Sequence, residues 1–386
     1  MTKKLYDLDA YAVEFSAKVL SSEKSDDDTY IITLDQTLFF PEEGGQTPDK
    51  GIIWNEDKKV EVLDVQIKDN IIFHKVSGKM DAGMPVNGKI DFTHRYNNMQ
   101  QHTGEHIFSG FAHSLYGCTN VGFHLSDSIV TMDYDVQLEK EQIEDIERKV
   151  NEAIAKNIEV ICEYPSKERL AEMDYRSKIE LTGDVRIVTI PGVDVCACCA
   201  PHVRTTGEVG ILKVQFAQNY KGGTRISILC GLRAFDNYKL VHDQIASTAH
   251  FLSVKHEEVY DTVCKLLNER NELLGRLKDA QAEVMNMQIE AIDSDAENAC
   301  IFVDGIDNIV ARNAVNSMTL AHSGFSAVFI GNDDEGYSFI IGSKNCDCRE
   351  VLKKMQESLS CRGGGKPEMV QGSVKGRKMD IKKFFY

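Results

Sequence analysis

Up to about residue 90 the apolar positions come in short runs: Tyr30-Ile31-Ile32-Thr33-Leu34, then Val60 and Val62 alternating with charge, then Ile71-Ile72-Phe73-His74-Lys75-Val76. Glycines and Asp/Asn pairs punctuate them. Alternation bounded by turn-forming residues predicts strands, and their density over 1–90 predicts a small β-barrel. Between two of the runs lies Phe39-Phe40-Pro41-Glu42-Glu43-Gly44-Gly45-Gln46, a loop whose glycines permit close backbone approach to another element. From residue 91 the pattern changes to helices over 99–116 and 139–156, with strands at 185–190, 211–214 and 226–229. This predicts an α+β domain over 91–234.

Over 235–293 nearly every residue is a helix former. Val259, Val263, Leu266, Arg270, Leu273, Leu277, Ala280, Val284 and Met287 step alternately by four and three, the a/d seam of a coiled coil with one charged member. Such a seam must be buried against something, either the same chain in a helical hairpin or a second copy in a homodimer. Over 294–386, short strands and helices alternate and close on Gly363-Gly364-Gly365-Lys366-Pro367, a C-terminal α/β domain. The expected fold class is therefore α+β and multidomain: an N-terminal small β-barrel, an α+β domain, a long helical or coiled-coil linker and a C-terminal α/β domain.

Composition narrows the class. Apolar residues at 42% and charged residues at 27% of 386 describe globular protein rather than a disordered chain. No apolar run approaches the ~20 residues that span a bilayer, and the start, Met1-Thr2-Lys3-Lys4, opens no signal-peptide core. No membrane association and a cytoplasmic location are expected. The eleven cysteines then read as reduced thiols, some of them metal ligands. A net charge of −16 argues against sequence-blind nucleic-acid binding. From Arg362 onward, however, seven basic residues oppose Glu368 and Asp380, so a tail of +5 can make a local RNA contact.

The chemistry lies in two short-spaced pairs. His102-Thr103-Gly104-Glu105-His106 sets two imidazoles on one helical face. Cys198-Cys199-Ala200-Pro201-His202 offers a thiolate and an imidazole. Zinc accepts both ligand types in tetrahedral geometry, and two pairs in one domain predict a site for Zn2+. Cys196 and Cys199 compete with Cys198 on spacing alone. His102-x-x-Glu105-His106 also matches an inverted zincin pattern, with Glu180 as the distant carboxylate of a zinc peptidase; that reading leaves Cys198, His202 and both glycine-rich motifs unexplained.

The loop over 39–46, His102-x-x-x-His106 and Cys198-x-x-x-His202 together resemble the editing half of alanyl-tRNA synthetase and, more closely, the free-standing AlaX editing proteins of the long form. The resemblance continues through Val203-Arg204-Thr205-Thr206-Gly207-Glu208-Val209-Gly210, Lys221-Gly222-Gly223-Thr224-Arg225-Ile226 and the segment from Gly363 to Gly372. It implies His102, His106, Cys198 and His202 as zinc ligands, and trans-editing hydrolysis of the ester that joins serine, or glycine, to the terminal adenosine of tRNA for alanine. It implies that Thr37 recognises the serine hydroxyl and that Gln46 lies close to the metal. Gly44 and Gly45 would fold their loop over the cleft; Lys221 and Arg225 would meet the acceptor stem, and Gly363, Gly364, Gly365 and Lys366 the tRNA elbow. Where the family often has Cys-Gly-Gly-Thr-His, this chain has Cys198-Cys199-Ala200-Pro201-His202, which keeps open a tRNA-binding module with structural zinc and no hydrolysis. A phosphodiesterase, suggested by the last domain, lacks the Asp-His-His cluster that such chemistry needs.

Overall fold

The computed structural model describes residues 1–25, 28–177 and 184–386. The chain forms two compact units, Met1–Gln244 and Ile245–Tyr386. In the first, strands β1 (Glu14–Lys24), β2 (Tyr30–Leu34), β3 (Gly51–Trp54), β4 (Lys59–Lys68), β5 (Ile71–Val76) and β6 (Pro85–Ile90) close a barrel in the order β1-β2-β5-β4-β3-β6. Alternation explains the inside: Val60 and Val62 of β4 are buried, a register shift follows Val62, and the bulge leaves Leu63 exposed while returning Val65 to the core. On β6, Gly88 makes room for Phe15, whose ring would lie 2.3 Å from a Cβ at that position.

The barrel leads into α1 (Phe92–Tyr116), capped by the Asp91 side chain and ended by Gly117 in the left-handed region. It starts seven residues before the expected 99, because Asp91 caps a polar first turn that carries little apolar periodicity. Most of α1 is buried, as a helix through the middle of a unit must be. On one side of α1 lies a sheet of β7 (Asn120–Leu125), β8 (Val130–Tyr134), and later β12 (Leu212–Tyr220) and β13 (Gly223–Cys230), in the order β12-β13-β8-β7. The core is completed by α2 (Lys140–Ala155) and a three-stranded sheet of β9 (Ile161–Glu163), β10 (Ile187–Ile190) and β11 (Asp194–Ala197).

The helical stretch expected over 235–293 is two helices, α3 (Gly231–Leu252) and α4 (Val259–Glu290), divided at Ser253, whose φ is +56°. In the second unit, β14 (Ala299–Val303), β15 (Ser326–Asn332), β16 (Gly336–Gly342), β17 (Ser360–Lys366) and β18 (Met369–Lys375) form one sheet ordered β14-β15-β16-β18-β17. Alternate residues of central β15 face opposite ways: Val328 packs with α5 (Asn308–Ala321), Ala327 and Phe329 with α6 (Cys348–Ser358). Met285 joins the α5 side from α4, whereas Val263, Leu266, Leu273, Leu277, Val284 and Met287 of the seam are exposed. The triple glycine, read from sequence as a closing segment, is part of β17, paired along its length with β18. Among the described residues no helix is long and apolar enough to cross a membrane, and all eleven cysteines are free thiols.

Candidate metal centre

Helical periodicity brings His102 and His106 to the same side of α1, their ring centroids 5.5 Å apart. The turn after β11 delivers Cys198 and His202 to them. His202 lies 5.1 Å from His102 and 4.8 Å from His106, ring to ring, and the Cys198 Sγ is 3.5 Å from His102 Nε2 and 3.4 Å from His202 Nε2. One ligand atom from each of the four lies within 4.8 Å of the others, three buried histidines and a partly buried Cys198 able to hold a metal ion.

The outer nitrogens decide how the set is used. His102 Nδ1 donates to Gln46 Oε1 at 2.8 Å, His106 Nδ1 lies 3.0 Å from Asp194 Oδ2, and His202 Nδ1 lies 3.0 Å from Thr103 Oγ1. Each Nδ1 is thereby engaged, which leaves Nε2 of all three rings for the interior, the arrangement in which outer partners orient metal-ligating imidazoles. Three nitrogens and one sulfur converging in this way suit a cation in the kind of donor they offer. Arg176 holds Asp194 through two bonds of 2.8 and 2.9 Å. Burial opposes the Asp194 charge, but His106 and Arg176 outweigh it and keep its carboxyl below the usual range. Burial likewise opposes ionisation of Cys198, yet His102 and His202 hold its thiol well below the ordinary value. Burial pushes His202 down to about 3, against a rise from Cys198.

The competing cysteines separate in space. Cys196 sits with His106 and Asp194 in a second group. Cys199 faces Gly44, its Sγ 3.5 Å from where a Cβ there would stand, and burial raises its pKa. The loop carrying Cys198 is pinned by Arg186, whose Nη1 donates to the carbonyls of Cys198 (3.0 Å) and Ala200 (2.8 Å). Glu180 lies outside the described residues.

The glycine-bearing loop reaches the same place. Gly45 has φ +82°, and a Cβ there would meet the Phe123 carbonyl at 2.4 Å, so only glycine allows this approach to β7. Leu125 N donates to Gly45 O at 2.7 Å, and the Phe123 ring lies 4.8 Å from that of His102. Gln46 is fully buried; its Oε1 serves His102, and its Nε2 has no hydrogen-bond partner. The loop is tied to α1 by a buried ion pair: Arg95 Nε lies 3.0 Å from Asp49 Oδ1, and its Nη2 also bonds Asp49 Oδ2 and the Leu38 carbonyl. Asp49 in turn accepts from Phe40 N at 2.6 Å. Thr37 is buried where the barrel enters this loop, bonded to His74 Nε2 (3.0 Å) and Phe39 N (3.1 Å).

Other residues named from sequence lie elsewhere. Lys221 caps the turn between β12 and β13 at φ +49°. Arg225 is committed to Asp133 through bonds of 2.6 and 2.7 Å and stacks on Tyr220 at 3.7 Å. Gly363, Gly364, Gly365 and Lys366 lie on β17 of the second unit. Sequence reading missed Asp194, Arg176, Arg186, Thr103 and the Arg95–Asp49 pair. None carries a spacing signal, because each partner is distant in the chain.

Two family models match the first unit: class II (A) tRNA synthetases over residues 7–94, which include Thr37 and the loop to Gln46, and the second additional domain of threonyl and alanyl tRNA synthetases over 185–227, which include Cys198 and His202. These matches are a likeness to domains of tRNA synthetases over part of the chain. More particularly, the chain is similar to the alanyl-tRNA editing protein AlaX-L of Pyrococcus horikoshii, 27% identical over 99% of this chain and 96% of that protein. It is also 29% identical to the alanine–tRNA ligase of Halobacterium salinarum over 88% of this chain, which spans 38% of that ligase. Among solved structures, the C-Ala domain of Aquifex aeolicus alanyl-tRNA synthetase aligns with 24% of this chain and 92% of its own length, at 19% identity and a TM-score of 0.20. The resemblance to AlaX-L therefore extends along nearly the whole chain.

Proposed function

We propose that this protein holds Zn2+ on His102, His106, Cys198 and His202 and removes serine from mischarged tRNA for alanine by hydrolysing the ester at the terminal adenosine. The observation that carries the reading is the convergence of the Nε2 atoms of three oriented imidazoles with the Cys198 sulfur beneath the loop bearing Gln46. Three imidazoles and a thiolate fit zinc in kind and number. When bound, zinc supplies Lewis acidity toward an ester carbonyl or a water.

The chain's own residues do the rest. Gln46 uses Oε1 to hold His102 and keeps Nε2 as a buried donor for the oxygen that gains charge when water adds to the ester. Thr37 takes the hydroxyl of serine, and alanine leaves that polar contact unpaired. Gly44 and Gly45 bring the loop down beside Phe123, excluding water from around the reacting bond. Lys221 meets the acceptor stem, while Arg225, neutralised by Asp133, braces the same hairpin. Gly363, Gly364, Gly365 and Lys366 meet the tRNA elbow through their backbone and charge. The exposed seam of α4 pairs with that of a second copy, giving a cytoplasmic homodimer.

A second reading is favoured by one observation: four protein ligands close a tetrahedral zinc, as structural sites do. It makes the protein a tRNA-binding module without hydrolysis. Incubation with Ser-, Gly- and Ala-charged tRNA for alanine, with and without a chelator, separates the two. Chelator-sensitive loss of serine with alanine retained supports editing; tight tRNA binding with every ester intact supports the module.

A further inference from the structure

We infer that His74 is a positioning residue for selectivity: it takes the Thr37 hydroxyl proton, leaving Thr37 able only to accept, so that the site recognises side chains that donate. The inference rests on the editing reading above and concerns what Thr37 can and cannot bind.

The argument is one of proton placement. His74, on β5, is fully buried inside the barrel. Its Nδ1 lies 3.4 Å from the Ile32 carbonyl oxygen, which can only accept, so Nδ1 carries the ring proton. The ring is neutral: burial pushes His74 down to about 4, against a smaller rise from the Ile32 bond. A neutral imidazole protonated at Nδ1 presents a bare lone pair at Nε2. Nε2 is 3.0 Å from Thr37 Oγ1, so the threonine hydroxyl must donate to it. Phe39 N–H, 3.1 Å away, takes one of the two oxygen lone pairs. The Phe39 ring stands edge-on to the imidazole at 5.7 Å and 78°, which fixes its orientation.

What remains on Thr37 is one lone pair and no proton. A serine hydroxyl can donate to it. Glycine has nothing to offer, and the alanine methyl would leave the lone pair buried and unmet. The pair therefore favours serine over both alanine and glycine by hydrogen-bond polarity, in addition to any effect of size. Without His74 the hydroxyl could rotate, and its polarity would no longer be set.

Deacylation of Ser-, Ala- and Gly-charged tRNA by full-length, zinc-loaded wild type, Thr37→Val, His74→Leu, His74→Gln and the Thr37→Val/His74→Leu double variant tests this. His74→Leu should lower kcat/KM for the serine ester by roughly ten- to a hundredfold, leave the alanine and glycine esters within a few-fold, and add little to Thr37→Val. His74→Gln, whose amide oxygen can accept, should restore most of the preference. A preference kept in His74→Leu but lost in Thr37→Val would overturn the role of His74. An equal loss for all three esters, unrescued by glutamine, would do the same by assigning His74 to the barrel alone. Should wild type cleave no ester, the editing reading fails and takes this inference with it. If a variant does not fold, imidazole 15N shifts of the wild type still decide: a proton on Nδ1 is expected, and one on Nε2 refutes the assignment.

Discussion

The His102/His106/Cys198/His202 cluster and the seam of α4 are incomplete in opposite ways. The cluster is polar and largely buried; its outward atoms are bonded to Gln46, Thr103 and Asp194, and its inward atoms converge on one another. The seam is apolar and exposed, with Leu273 and Met287 presented to solvent in the single chain. What each lacks follows from its chemistry. Converging lone pairs call for a cation, and an apolar stripe at coiled-coil spacing calls for another apolar stripe. A small ion would meet the first need and a macromolecule the second, so the two regions should respond to different perturbations.

The largest effect should come from removing a ligand. His106→Ala is expected to reduce bound metal from about one ion per chain to near zero, and deacylation by more than the ~10- to 100-fold that loss of an outer partner brings; native mass spectrometry and the ester assay read both. Metal retained at full occupancy would mean that the four-residue cluster does not hold the ion. Next is Arg95→Leu, which strands Asp49 without a partner inside the protein and should cost about 3–5 kcal/mol in denaturant unfolding. A loss under ~1 kcal/mol would mean that the loop holds its place without α1. Asp194→Asn keeps the shape but weakens the acceptor at His106 Nδ1, and metal affinity should fall by about 10- to 100-fold with the fold intact. Leu273→Glu, at the far end of the comparison, should leave metal content unchanged and monomer stability within ~0.5 kcal/mol. It should nevertheless raise the dimer dissociation constant at least ~10-fold, about 1.4 kcal/mol, in sedimentation experiments. Unchanged sedimentation would mean that the seam does not serve self-association.

The sequence discloses these regions unequally. His102 and His106, like Cys198 and His202, stand four apart, and a spacing that short survives without knowledge of the fold. The seam is legible for the same reason: its period is local. Asp194 and Thr103 are not legible, because their bonds to His106 and His202 cross 88 and 99 residues and exist only once β11 and its following turn pack on α1. The barrel strands follow from alternation, but the bulge after Val62 that returns Val65 to the core does not. The start of α1 was obscured because its first turn, Phe92-Thr93-His94-Arg95, is mostly polar in sequence and Arg95 becomes buried only through Asp49. A charged residue in a helix reads as surface until its partner is known.

Arg95, His102 and His106 all project from α1. The loop tied by Arg95 and the turn bearing Cys198 meet where Cys199 faces Gly44, and both are indexed to one rigid rod. Their mutual alignment is an angular quantity, set by how far the helix winds between the attachment points. A single residue inserted between Arg95 and His102 would turn everything beyond it by ~100°, swinging both histidines out of phase with Gln46 while deleting no side chain. A full extra turn would nearly restore the phase but displace the two ends by ~5.4 Å. The helix works as a phase-locked shaft whose residue count is part of the site.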